Sequence, residues 1–220
     1  MGVEELPAGW VRVDCQVHTV WSGDASTTLE QLAERIAALG LGVVCITDHH
    51  TLEGARRAAE RGIGARVVVG EEIRTRAGEL IGLFLEERVP YVLPVDEVVA
   101  RIRRQGGIVY APHPLDRHRR GLGENGLDEL AASGSVDVVE VFNAKVRDAR
   151  DNERAAAAAL RHGLPGGAGS DAHDPDGLGA AYLEMPDFAD ARGFLDALRS
   201  ARVVGSFRDH ARRYLPRGRD

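Results

Sequence analysis

Seven short, mostly apolar segments alternate with helical patterns along most of this 220-residue chain. Most are continuous apolar runs, which are typical of strands covered on both faces. A chain that alternates strands and helices in this way predicts an α/β fold. The predicted strands are Val11–Asp14, Val43–Thr47, Val67–Gly70, Leu80–Leu85, Ile108–Ala111, Val138–Phe142 and Gly167–Ser170.

The segments between these runs carry helix signals. Thr28–Leu39 has apolar residues at helical spacing, a capping box formed by Thr28 and Gln31, and a terminating Gly40. Because the alternation runs through the chain without a split, we expect one barrel-like domain over residues 1–220, with a core at about 11–205 and an arginine-rich C-terminal tail at 208–220. Further helices are predicted at Leu52–Arg61, Val95–Gln105, Asn125–Ala132, Asp148–His162 and Phe194–Arg199.

Charge and cysteine content narrow the possible partners and compartment. The formal net charge of −6 argues against binding to long nucleic acid, which requires a basic face. Cys15 and Cys45 form no disulfide framework, no signal-peptide pattern occurs at the N-terminus, and no apolar run approaches the roughly 18 residues of a membrane span. We therefore expect a cytoplasmic protein without a membrane partner. No Gly-x-Gly-x-x-Gly or Walker-type loop follows a predicted strand, so a nucleotide cofactor is disfavoured.

Histidine and acidic residues stand where many of the predicted strands end. The carboxyl ends of the strands of a parallel barrel meet at one rim, so these side chains are expected to converge there. Burying an imidazole or a carboxylate costs several kcal/mol of desolvation free energy unless another group pairs with it. Divalent cations are the simplest partners for a cluster of such groups. The candidate metal ligands are Gln16, His18, Asp24, His49, Glu72, Glu79, His113, Asp171 and His173.

The order of these motifs resembles the polymerase-and-histidinol-phosphatase (PHP) phosphoesterases. The resemblance runs from about Val11 to about Ala181, and Gly78–Leu85 and Val139–Ala144 are similar to segments of the small stand-alone bacterial members. It implies a distorted seven-stranded β/α barrel of the TIM-like PHP type. It also implies two to three divalent metal ions, held in three groups: Gln16, His18, Glu72 and Asp171; Glu72, Glu79 and His113; and Asp24, His49 and His173.

Two positions depart from the family pattern. Gln16 stands where the family has the first histidine of a His-x-His motif, and an amide is a weaker ligand than an imidazole. Glu79 stands where many relatives have histidine, which makes the donor set richer in oxygen. Four imidazoles and four carboxylates suit Mn²⁺, Fe²⁺ or Zn²⁺.

The resemblance implies hydrolysis of a small phosphomonoester or phosphodiester, such as a nucleotide or sugar phosphate, by metal-activated water. We expect catalytic roles for His113, Glu72, Arg117 and His173. Arginine forks match phosphate, so the expected phosphate-binding residues are Arg117, Arg119, Arg120 and Asn143. Asp14 and Asp48 are expected to orient neighbouring ligands.

Three other functions stay open. One is an exonuclease acting on short nucleic-acid ends, and another is a catalytically impaired protein that binds metal or phosphate, which Gln16 favours. The third is a metal-dependent C–N hydrolase. The Asp171-x-His173 ending and the lack of a candidate carbamylated lysine argue against the third.

Overall fold

The computed structural model describes residues 5–206. Six α-helices and nine strands alternate over most of this range. The strands are β1 (Trp10–Val17), β2 (Val43–Ile46), β3 (Arg66–Arg74), β4 (Glu79–Leu83), β5 (Ile108–Ala111), β6 (Val138–Asn143), β7 (Gly166–Gly169), β8 (Ala181–Pro186) and β9 (Arg202–Gly205). The helices are α1 (Leu29–Leu39), α2 (Glu53–Arg61), α3 (Val95–Arg104), α4 (Gly123–Ala132), α5 (Ala149–His162) and α6 (Ala191–Leu198).

All nine strands belong to one sheet in the order β7-β6-β5-β4-β3-β2-β1-β8-β9. The strands β1 to β3 pair in parallel, as do β5 to β7, but β4 runs antiparallel to both of its neighbours. A tight turn at residues 75–78 joins β3 to β4, and a turn this short can only produce an antiparallel pair. The α/β barrel-like fold is therefore present, but the predicted count of seven strands is wrong.

The sheet curves until its two halves nearly meet. Beyond the end of β7, the amide of Asp171 donates to the carbonyl of Gln16 at 2.8 Å, and the amide of His18 donates to the carbonyl of Ala172 at 3.0 Å. These bonds join the segment after β7 to the end of β1. Strand ends that are far apart in sequence consequently face one another across the same opening.

The hydrophobic core has one inner layer and two outer layers. The inner cluster fills the barrel with alternate side chains of the strands, among them Val13, Cys45, Ile81 and Tyr110, and α6 adds Phe194 to it. One outer cluster packs α1 and α2 on the sheet, and the other packs α3, α4 and α5. Both cysteines are free and buried. No helix within residues 5–206 is long and apolar enough to cross a bilayer.

Most of the predicted elements are present with ends shifted by a few residues. Thr28 caps α1 with the predicted capping box, and Asp148 caps α5. The strands β8 and β9 were not predicted. In β8 the buried residues alternate with half-buried ones, and β9 is largely exposed, so neither forms a continuous apolar run. The predicted tail at 208–220 lies outside the described residues.

Candidate metal centre

A bulge in β1 turns two ligand candidates towards the inside of the barrel. Val13 and Cys15 face the inner core, and the pairing of β1 with β2 shifts register between Asp14 and Val17. A bulge re-aims the side chains that follow it. Gln16 and His18 are therefore fully buried at the rim, while Val17 joins an outer cluster.

The first group of side chains surrounds His18. Its Nε2 atom lies 3.1 Å from Glu72 Oε2 and 3.4 Å from Asp171 Oδ1, and all three side chains are buried. Burial alone would lower the pKa of His18, but Asp171 and Glu72 outweigh it and raise the pKa to about 10. The pKa values of Glu72 and Asp171 lie well below the ordinary range despite burial, because nearby imidazole and cationic groups stabilise both carboxylates.

Glu72 also belongs to a second group with Glu79 and His113. Glu72 Oε1 lies 3.1 Å from His113 Nε2, so each carboxylate oxygen of Glu72 faces a different histidine. One potential ligand atom from each of Glu72, Glu79 and His113 lies within 4.8 Å of the others. Burial and the charge of Glu72 raise the pKa of Glu79 to about 7.

A third group lies on the solvent side of His18. Asp24 Oδ2 lies 3.4 Å from His49 Nε2 and 3.3 Å from His173 Nε2. The rings of His49 and His173 are centred 4.7 Å and 4.2 Å from that of His18. One nitrogen each of His18, His49 and His173 lies within 4.8 Å of the other two.

These donors fit divalent cations. Four imidazoles and four carboxylates converge, and several of their buried atoms have no hydrogen-bond partner among the described residues: His18 Nε2, His113 Nδ1, Asp24 Oδ1 and Asp171 Oδ1. Leaving such atoms unpaired costs about 1–3 kcal/mol each. Cations of the Mn²⁺, Fe²⁺ or Zn²⁺ type satisfy mixed nitrogen and oxygen donors of this kind.

Gln16 lies in the cleft but makes hydrogen bonds at both ends of its amide. Its Nε2 donates to Glu72 Oε2 at 2.9 Å, and its Oε1 accepts from Asn143 Nδ2 at 3.2 Å. A Cβ atom on Gly169 would approach Gln16 Cβ to 2.7 Å, so the backbone of β7 lies against this side chain only because residue 169 is glycine. In this arrangement Gln16 links Glu72 to Asn143.

Buried polar residues hold the ligands in place. Asp48 accepts hydrogen bonds from the Thr19 amide at 2.6 Å and the Thr19 hydroxyl at 2.7 Å. These bonds join the residue after His18 to the residue before His49. Asp14 accepts from the Ser170 amide at 2.9 Å, next to Asp171, and burial raises the pKa of Asp14 to about 7. Both aspartates thus support the segments that carry ligands, rather than facing the cleft themselves.

Two of the four predicted phosphate-binding residues contact the candidate ligand Asp171, and the other two are exposed. Arg119 contacts the buried carboxylate of Asp171, and Asn143 donates to the same carboxylate at 3.0 Å. Arg117 is exposed, and its charge acts on Glu124 and Asp148, away from the ligands. Arg120 is exposed beside Glu79, whose amide donates to its carbonyl at 2.8 Å.

Three residues of the cleft were missed in the sequence. Lys145 Nζ lies 2.7 Å from His173 Nδ1 and 3.9 Å from Asp171 Oδ1, so a lysine lies beside the candidate ligands. Ser22 Oγ lies 3.0 Å from His18 Nδ1, and Glu140 accepts from the His113 amide at 2.7 Å. Lys145 is the chain's single lysine and follows Asn143 by two residues, which was the available signal.

Comparisons with known proteins show the family of this chain. The sequence matches the PHP domain family over residues 14–167 and a PHP-associated family over residues 149–203. It is 35% identical over 198 residues to the uncharacterized protein MJ0417 of Methanocaldococcus jannaschii, a match that covers 86% of this chain and 79% of that protein. The family match covers more than half of the chain, so this chain belongs to the PHP domain family.

Solved structures share the fold at low identity. A two-domain protein from Bacteroides vulgatus, described as containing a predicted PHP-like metal-dependent phosphoesterase, superimposes with a TM-score of 0.70 at 18% identity. That match covers 91% of this chain and 67% of the other. An amidohydrolase from Chromobacterium violaceum with bound sulfate gives a TM-score of 0.62 at 16% identity, over 76% of this chain and 89% of the other.

Proposed function

We propose that this protein is a metal-dependent phosphoesterase that hydrolyses a small phosphomonoester or phosphodiester. The observation that carries the proposal is the arrangement of charges in one cleft: buried carboxylates and imidazoles at its floor, with the cations of Arg119 and Lys145 beside them. Membership of the PHP family supports the same chemistry. The substrate we propose is a small phosphorylated molecule.

Two to three divalent metal ions would be held by the three groups of ligands described above. When bound, such ions acidify water and neutralise charge on phosphoryl oxygens. The groups are His18, Glu72 and Asp171, with Gln16 beside them; Glu72, Glu79 and His113; and Asp24, His49 and His173. His113, Glu72 and His173 serve catalysis as members of these groups.

Arg119 and Lys145 bind the phosphoryl group of the substrate in this proposal. Both cations contact Asp171, and Lys145 is about one-third exposed, so each is held from inside the protein and open to the cleft. Arginine binds two oxygens of a phosphate in parallel, whereas lysine acts as a compact positive charge. Because Arg119 contacts Asp171 whereas Arg117 is exposed, we assign the phosphate to Arg119 instead.

A metal titration with an aryl phosphate and its diester tests the proposal. We expect Mn²⁺ to restore turnover to metal-free protein, and His113→Ala to remove it. His162→Ala is the matched control, since His162 pairs with Asp128 on the outer helices. Absence of turnover with Mn²⁺, Fe²⁺ and Zn²⁺ would refute the proposal.

The hydrogen bond from Gln16 to Glu72 favours one other candidate, a metal- or phosphate-binding protein with impaired catalysis. The amide occupies one oxygen of a carboxylate that a cation would otherwise share. Retention of metal through purification, combined with no turnover of either ester, would support that candidate.

A further inference from the structure

A second basic cleft lies beside Glu79, outside the groups of metal ligands. Its volume is about 440 Å³, and three exposed arginines, Arg74, Arg76 and Arg120, contribute its charge. We call it the arginine cleft. The remaining lining residues are small or uncharged: Thr75, Ala77, Gly78, Val92 and Gly121.

Among the residues that the structure describes, no acidic side chain lines this cleft. Within residues 5–206, none of its three guanidinium groups forms a salt bridge, and Arg76 Nε donates to the Val92 carbonyl at 3.4 Å. Several other arginines within residues 5–206 are paired, such as Arg101 with Glu97 and Arg103 with Asp137. Three unpaired positive charges around one opening repel one another, and an anion relieves that repulsion.

The backbone that carries these arginines is well fixed. Thr75 Oγ1 accepts from the amides of Ala77 and Gly78, both at 3.1 Å, and donates to the Gly78 carbonyl at 2.7 Å. Gly78 has a φ of 151°, and a Cβ atom there would lie 3.0 Å from Leu122 Cα. The hairpin turn is thus braced from within and packed against the loop that follows Arg120, so its backbone needs little ordering when a ligand binds.

The strand register places one arginine of the cleft next to the metal centre. Arg74 is directly opposite Glu79 in the antiparallel pairing of β3 and β4, and opposed residues place their side chains on the same face. Glu72 is two residues from Arg74 on the same strand, so its side chain projects from that face as well. A substrate held at Glu72 and Arg119 can therefore extend past Glu79 to reach Arg74.

We propose that the arginine cleft binds a second phosphate group of the substrate, so that the preferred substrates are small molecules with two phosphates. This proposal rests on the proposed function for the first phosphate, which lies at Arg119 and Lys145. Guanidinium groups hold phosphate through paired, charge-assisted hydrogen bonds, and Arg74, Arg76 and Arg120 supply three such donors. Substrates with one phosphate would leave this cleft without a partner.

A series of linear alkanediols with one or two phosphates tests the inference through turnover. We expect the best bisphosphate to exceed its monophosphate at least about tenfold in kcat/KM, because it gains charge-assisted contacts. In the double variant Arg74→Gln/Arg76→Gln that ratio should fall close to one. The control is Arg103→Gln, which removes an arginine of α3 paired with Asp137. A ratio near one in the wild-type protein would overturn the inference.

Calorimetry on metal-free protein separates failure of the arginine cleft from failure of the proposed function. The same bisphosphate should bind the double variant at least about tenfold more weakly than the wild-type protein, whether or not any ester is turned over. Equal dissociation constants for the two proteins would overturn the inference. Both substitutions lie at exposed positions, and thermal melts of the variants check that the fold is intact.

Discussion

At the scale of single residues, Gln16 is the position where the sequence predicts a departure from the family pattern. An imidazole at this position would offer a ring nitrogen to a cation, but the amide of Gln16 donates a hydrogen bond to Glu72. The carboxylate of Glu72 thereby loses part of its capacity to bind a cation. Glu72 belongs to two of the three ligand groups, but Gln16 donates to Oε2, which faces His18, and not to Oε1, which faces His113.

Replacing Gln16 with histidine should increase the metal content of the protein. The new ring nitrogen adds a ligand, and the hydrogen bond to Glu72 is no longer required. Elemental analysis after dialysis against limiting Mn²⁺ measures the ions bound per chain. Gln31→His on the exposed start of α1 is the matched control. If Gln16→His and the wild-type protein hold equal amounts, Gln16 does not contribute to the metal centre.

Glu71 predicts a pH dependence of stability that is separate from the metal ligands. Glu71 precedes Glu72 in the sequence and is buried. Its carboxylate accepts a hydrogen bond from the Val89 amide at 2.8 Å. Burial raises its pKa from 4.5 to about 7. Below pH 4.5 the carboxyl group is protonated in both the folded and unfolded states and contributes nothing to the pH dependence of stability. As the pH rises from 4.5 to 7, only the unfolded state loses the proton, so the folded state is progressively disfavoured.

Glu71→Gln should remove this dependence. The amide keeps an oxygen that can accept from Val89, and it does not ionise. The free energy of unfolding of the variant, relative to wild type, should increase between pH 4.5 and 7 by at most about 3 kcal/mol and remain level above pH 7. Urea denaturation of metal-free protein across this range provides the measurement. A difference that does not change with pH would contradict the assignment.

The sequence named side chains that the structure brings together, but it did not distinguish between the arginines near them. His18, Glu72, His113 and Asp171 follow strand ends, and the geometry of a barrel brings strand ends together whatever the details of the loops. The side chain that faces Asp171 depends on how the loop after His113 folds. Neighbouring arginines in that loop look equivalent in the sequence, so the choice of Arg119 over Arg117 required the structure.

At the scale of elements, local signals determined what could be predicted. Helix α1 begins and ends where its capping residues place it, because these contacts involve neighbours in the sequence. The antiparallel direction of β4 and the bulge in β1 depend on pairing between strands, and β8 and β9 lack a continuous apolar run. Periodicity within one segment contains no information about partner strands, so these features could not be predicted.

Thr28→Ala tests the capping of α1. The Thr28 hydroxyl accepts from the Gln31 amide at 3.3 Å, and the Gln31 side chain accepts from the Thr28 amide at 3.0 Å. Loss of the hydroxyl should lower the free energy of unfolding by about 1 kcal/mol. Aryl phosphate turnover should stay at the wild-type level, because α1 contributes no ligand. Unchanged stability in urea denaturation would show that the capping box does not stabilise the helix in solution.

At the scale of the whole molecule, one centre connects both halves of the barrel. His18 and His49 come from one half of the sheet, whereas His113 and Asp171 come from the other. Because these ligands come together only in the folded chain, metal ions would bind the folded state in preference to the unfolded state. Adding Mn²⁺ at 100 times its dissociation constant should stabilise the fold by about 3 kcal/mol and raise the Tm by roughly 5–10 °C.

The control for this shift is His113→Ala, which should show a smaller rise in Tm with Mn²⁺ than the wild-type protein. His162→Ala should keep the full rise, since His162 contacts Asp128 on the outer surface. Equal melting temperatures of the wild-type protein with and without Mn²⁺ would mean that the ion does not link the two halves.

Anomalous scattering from crystals grown with Mn²⁺ tests the metal centre most directly. We predict peaks within ligand distance of the side chains of two groups, Glu72 with Glu79 and His113, and Asp24 with His49 and His173. A weaker peak is predicted near His18 and Asp171, where Gln16 replaces an imidazole. Saturating Mn²⁺ with no anomalous peak at any of these side chains would contradict the assignment of this cleft as a metal centre.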